Sequence, residues 1–164
     1  MGVRTHEETE WQRRGWPLIF VRHDSVEAGS PLRPELPGNA FKPELDGVEP
    51  DLLVVKRTNS SFYGKPDLKE WLDSRGLHTL VLCGISTNHC VETAARMGSN
   101  LGYDIRFVLD ATHAFERTGP DGRTLTADEL AQATATSPHG EFAQIVSTGD
   151  LLDASGSGAV WRGR

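Results

Sequence analysis

The sequence predicts an α/β protein: a three-layer, mostly parallel, Rossmann-like sheet with helices on both faces. Three observations lead there. Short runs rich in Val, Ile and Leu recur along the chain, and segments of helical spacing lie between them. The runs are continuous rather than alternating, as in strands buried on both faces of a parallel sheet. At 164 residues and 37% hydrophobic content the chain can build one core. Residues 1–152 are therefore read as a single domain, and 153–164, rich in Gly and Ser, as a flexible tail.

Taken in order, PLIFVR (17–22), LLVVK (52–56), TLVLC (79–83), IRFVL (105–109) and AQIVS (143–147) are the expected strands. Helices are expected over 67–75, 88–101 and 127–135. In the second, Val91, Ala94, Ala95, Gly98 and Leu101 recur at helical spacing, Thr87 or Asn88 can cap its start, and Gly102 can end it. The stretch 27–50 holds five prolines and reads as a long excursion of the kind that shapes a pocket. In such a fold, ligands bind at the carboxyl ends of the strands.

Composition excludes several function classes. Seventeen Lys and Arg against 23 Asp and Glu give a net charge of −6, with no broad basic surface for nucleic acid. No apolar run approaches the roughly 18 residues of a membrane span, and the amino end is not signal-like. The cysteines, Cys83 and Cys90, sit across a strand and a turn and are poorly placed to pair, which fits a reducing cytoplasm.

Cys90 is the most informative residue. It follows a strand and a short polar turn and opens a helical stretch. A thiol in the first turn lies in the positive end of the helix dipole, which favours the reactive thiolate. Backbone N–H groups of such a turn can receive a developing oxyanion. The bland alternative is a buried structural cysteine. Lys56 closes the second strand, where its ammonium can stabilise a thiolate or simply mark a strand end at the surface. Phe62 and Tyr63 follow, either lining an apolar pocket or packing beneath their loop.

The segments VVKRTNSSFYG and LCGISTNHCVETAARMGSNLGYDIRFVLDATHAF resemble the isochorismatase-like cysteine hydrolases, which include nicotinamidases, N-carbamoylsarcosine amidase and ureidoacrylate amidohydrolase. The likeness runs over residues 16–152. It implies a hydrolase acting on a C–N bond of a small amide or carbamoyl compound through a Cys thioester. Its Lys falls on Lys56 and its nucleophile on Cys90, with oxyanion donors at the backbone N–H groups of Ser86 and Cys90. It also implies a cis peptide between Ile85 and Ser86, a loop near the pocket in which His23 or Asp24 contacts substrate, and a homo-oligomer. Either of those two residues could instead form a turn or cap a helix.

One departure stands out. The resemblance calls for a first strand ending in the triad's Asp. The chain opens instead on MGVRTHEETEWQRRGW, similar to the later part of the helix that follows such a strand. The strand is thus expected to be missing and turnover to be slow or lost. Two explanations stay open: a strand encoded upstream, or a degenerate homologue serving as a binding protein or oligomer subunit. Asp24 is the best local substitute carboxylate, while Asp110 looks structural by resemblance. None of the six histidines lies in a D-x-H element, so no metal and no other cofactor is expected. A redox-sensing thiol is a weaker alternative, since no C-x-x-C or resolving thiol accompanies Cys90.

Overall fold

All five runs singled out as strands are extended in the computed structural model, which describes residues 11–156. The chain divides into two units, residues 1–74 and 75–164. The result is a mixed α/β fold with parallel sheets and helices.

In the first unit, β1 (Ile19–His23) pairs in parallel with β2 (Leu52–Lys56), from Ile19 opposite Leu52 to His23 opposite Lys56. Parallel neighbours need a long crossover. Here it is the proline-rich excursion, which contains only the 3₁₀ turns Pro37–Asn39 and Pro43–Leu45. After β2 the chain makes the 3₁₀ turn Ser61–Tyr63 and enters α1 (Leu68–Asp73), whose start is capped by Asp67 accepting from the Glu70 N–H at 3.0 Å. Val54, Phe62, Leu68 and Leu72 are buried. At Gly64 a Cβ would lie 2.3 Å from Val54 Cγ1, so a side chain there would displace the core of this unit.

The second unit carries β3 (Thr79–Ile85), β4 (Asp104–His113) and, later in the chain, β7 (Gln144–Val146), parallel in the order β3–β4–β7. Between β3 and β4 runs α2 (Glu92–Asn100), with Ala94, Ala95 and Gly98 on its buried face. Their small size lets the helix approach the sheet closely. Gly102 ends it at φ +94°, as expected. A short antiparallel hairpin, β5 (Arg117–Thr118) and β6 (Thr124–Leu125), precedes α3 (Ala127–Thr136). A reciprocal capping box between Thr126 and Glu129 starts α3. Helix α4 (Thr148–Gly156) begins at an Asp110 carboxylate that accepts from the Thr148 N–H and hydroxyl at 2.8 and 3.2 Å. Asp110 is therefore structural.

Three expectations are corrected. Burial on both faces holds only for the middle of β4, where Ile105, Phe107 and Val108 are at most 3% exposed. In β1 and β3, Val21, Cys83 and Ile85 are exposed, because among the described residues each strand has one hydrogen-bonded neighbour. Cys90 does not open the α-helix but sits in a single π-helical turn, Thr87–Val91, ahead of it. Helix α4 continues to Gly156, into the expected tail. The opening segment MGVRTHEETE lies outside the described residues; residues 11–13 are helical.

Replacing Phe107, which has no exposed surface, with Ala is expected to lower the unfolding free energy by about 3–5 kcal/mol. Thr126→Ala, which removes the α3 cap, is expected to cost about 1 kcal/mol. Urea unfolding of both variants checks the order.

Candidate active site

The carboxyl ends of β1 and β2 bring three predicted residues together: His23, Asp24 and Lys56. Lys56 is 5% exposed. A buried ammonium offers only donors and must find acceptors. Its Nζ donates to the Thr58 carbonyl at 2.9 Å and lies 3.1 Å from His23 Nδ1. Because the ammonium cannot accept, Nδ1 carries the lone pair, and the imidazole proton is on Nε2. Burial, and then the Lys56 charge, hold the His23 pKa below its ordinary 6.5.

Asp24 points into a different set of bonds. Its carboxylate accepts from Arg22 Nε at 2.8 Å and from Asn39 Nδ2 at 3.0 Å. The Arg22 hydrogen bonds are the largest cause of a pKa below the ordinary 3.8. Asn39 is buried, and its amide nitrogen also reaches the carbonyls of His23 and Leu32, both at 2.9 Å. One amide therefore ties the excursion to the end of β1, a role that sequence reasoning missed because its partners lie 7 to 16 residues away. Of the two aromatics after Lys56, Phe62 is buried in the core and Tyr63 is 69% exposed.

In the second unit the Cys90 turn is held from below. The pairing of β3 with β4 shifts register between Leu82 and Gly84, and Gly84 has φ +117°. That backbone favours glycine. The peptide between Ile85 and Ser86 is cis, as the resemblance implies. The Ser86 carbonyl then accepts from the N–H groups of both His89 and Val91 at 3.2 Å, the second bond spanning the π turn. Thr87 is fully buried and donates to Thr112 Oγ1 at 2.9 Å, which donates on to the Leu109 carbonyl at 2.8 Å. The expected cap residue thus anchors the turn to β4 instead. Cys90 is half-buried, Cys83 is exposed, and neither is in a disulfide.

Sequence reasoning also missed the partner of His89. Arg117, on the β5–β6 hairpin, approaches His89 Nε2 at 2.6 Å, while His89 Nδ1 lies 3.4 Å from Ser86 Oγ. A guanidinium can only donate, so the pair requires an acceptor at Nε2. Among the described residues, no three or more His, Cys, Asp or Glu side chains are grouped to hold a metal ion. No described helix is long and apolar enough to cross a membrane.

Residues 8–137 match the model of the isochorismatase domain. An uncharacterized isochorismatase family protein of Bacillus subtilis, YrdC, is 33% identical over 143 residues, covering 87% of this chain and 76% of its own length. Another, YecD of Escherichia coli O157:H7, is 38% identical over 62% of this chain, and the ureidoacrylate amidohydrolase RutB of Pseudomonas savastanoi is 34% identical over 65%. The chain spans only 55% and 54% of those two proteins. A crystal structure from the isochorismatase family of Chromobacterium violaceum superposes with a TM-score of 0.86 at 37% identity, over 93% of this chain and 79% of that one.

The site geometry makes two stability predictions. Asn39→Ala, which removes the buried amide that joins the His23 and Leu32 carbonyls, is expected to cost about 1–3 kcal/mol by thermal or urea unfolding. Asp24, whose native pKa is depressed, contributes stability that is complete above its ordinary 3.8 and is lost as pH falls through the lower native value. Unfolding free energies measured from about pH 6 to about pH 2 should fall less steeply in Asp24→Asn than in the wild type. Parallel curves would refute this.

Proposed function

The chain belongs to the isochorismatase family, and we propose that it is a cysteine hydrolase that cleaves a C–N bond of a small amide or carbamoyl compound. The observation that carries the reading is Cys90 in a backbone-ordered turn between β3 and α2, the residue on which the resemblance puts the nucleophile. The name of the relative RutB, an amidohydrolase, supports the bond type. The match over residues 8–137 crosses both units and supports one hydrolase domain over 1–152.

In this proposal the Cys90 thiolate attacks the carbonyl carbon, and the Lys56 ammonium offsets the negative charge on sulfur. Electrons shift onto the carbonyl oxygen, and the N–H groups of Ser86 and Cys90 receive the oxyanion. Collapse breaks the C–N bond, and the nitrogen leaves as ammonia or an amine with the proton given up when the thiol ionised. Water then adds to the thioester and restores the thiol. The acid/base carboxylate that shuttles these protons is assigned neither to Asp24 nor to Asp110. Both are held in structural hydrogen bonds.

The same reading makes the protein a cytoplasmic homo-oligomer. Exposed Val26, Leu32 and Leu36, at 71%, 40% and 40%, support a covered surface.

A panel of small amides and N-carbamoyl compounds, followed by release of ammonia or amine, tests the proposal. At least one substrate is expected to turn over, slowly where no acid/base carboxylate assists, with kcat falling by about 10³-fold or more in Cys90→Ser and about 10²-fold in Lys56→Met. Turnover that survives Cys90→Ser would overturn the reading. No turnover by any variant would favour a binding or oligomer subunit.

A further inference from the structure

The end of β1 holds a second polar group directed at the Lys56 cation. In the parallel register His23 stands opposite Lys56, and its Nδ1 lies 3.1 Å from Nζ. The Thr58 carbonyl takes a second N–H of the ammonium at 2.9 Å. With two directions of a tetrahedral ammonium fixed, the third follows. The main chain beneath is fixed too, because the His23 carbonyl accepts from Asn39 and the Asp24 N–H donates to the Lys56 carbonyl at 2.8 Å.

We propose that His23 is a positioning residue for Lys56: a neutral imidazole that accepts from Nζ and sets the direction in which the ammonium is presented. This assigns His23 to the cation rather than to the substrate, and it rests on the reading of Lys56 as part of the catalytic group. Each acceptor that takes an N–H of Nζ narrows the positions the ammonium can adopt, and the ring nitrogen adds one to the Thr58 carbonyl.

The arrangement works only while Nδ1 is unprotonated, since an N–H there would face the ammonium. Burial and the Lys56 charge favour the neutral ring, whereas the Thr58 carbonyl and the carboxylates of Asp24 and Glu27 favour the charged one. The balance puts the pKa below 6.5, so the neutral acceptor is the form present at neutral pH. The rate should therefore fall on the acid side, as His23 gains its proton.

The test compares the full-length wild type with His23→Leu, which removes the acceptor, and His23→Asn, whose Oδ1 stands close to the Nδ1 position and cannot be protonated at these pH values. Substrate is the best compound of the amide panel, with kcat and KM measured from about pH 5 to about pH 8. Alongside, ¹³Cε-lysine NMR follows the Lys56 signal, identified by its loss in Lys56→Met. His23→Leu is expected to lower kcat by on the order of tenfold with KM little changed, as for one lost charge-assisted hydrogen bond. His23→Asn should recover most of that loss and flatten the acid limb, and the wild-type Lys56 signal should move as His23 titrates.

A His23→Leu enzyme with wild-type kcat, or a His23→Asn enzyme as impaired as His23→Leu, overturns the positioning role and leaves the hydrolase reading standing. A wild type without Cys90-dependent turnover overturns both, even where the Lys56 signal still follows His23.

Discussion

A lysine ammonium enclosed at the end of a strand is the constraint on which the account of this protein depends. Ammonium groups are rarely buried without partners, because each N–H taken from water must be replaced. Here two of the partners are a backbone carbonyl and a neutral ring nitrogen. Neither of these two carries a negative charge. A structural lysine gains more from a carboxylate, and Asp24 is next in sequence to His23. That carboxylate is instead directed to Arg22 and Asn39. The local folding thus separates the acidic group from the cation.

The second unit meets a comparable demand, which is to bring a chain out of a strand and into a helix while keeping one thiol in the turn. The register shift at Gly84, the buried hydroxyl of Thr87 and the double use of the Ser86 carbonyl fix that turn from three sides. Two are backbone devices and the third is a hydroxyl bond to β4, consistent with a site that must be ordered before a ligand arrives. The Arg117–His89 contact adds a link from the hairpin to the same turn.

Much of the fold was legible in the sequence, for physical reasons. Continuous apolar runs located five of the seven described strands, and β2 was read with its observed bounds, because Leu52–Lys56 is flanked by polar residues. The small-residue stripe of α2 gave its buried face. The π turn was not legible, since helical spacing does not separate bonds to the fourth residue from bonds to the fifth. The β5–β6 strands are two residues each, too short for any period. Of the candidate site, Lys56 and Cys90 came from strand ends, turn chemistry and family resemblance. The opposition of His23 and Lys56 was hidden because parallel register depends on pairing across 33 residues.

The central claim is that the enclosed cation serves the Cys90 sulfur, and alkylation by iodoacetamide near neutral pH tests it without knowledge of the substrate. Cys83 is exposed and Cys90 only half so, which by access alone would label Cys83 first. The account predicts the reverse order, with Cys90 faster by about tenfold or more, and a marked slowing at Cys90 alone in Lys56→Met. Labelling in order of exposure, or a Cys90 rate indifferent to residue 56, would contradict it.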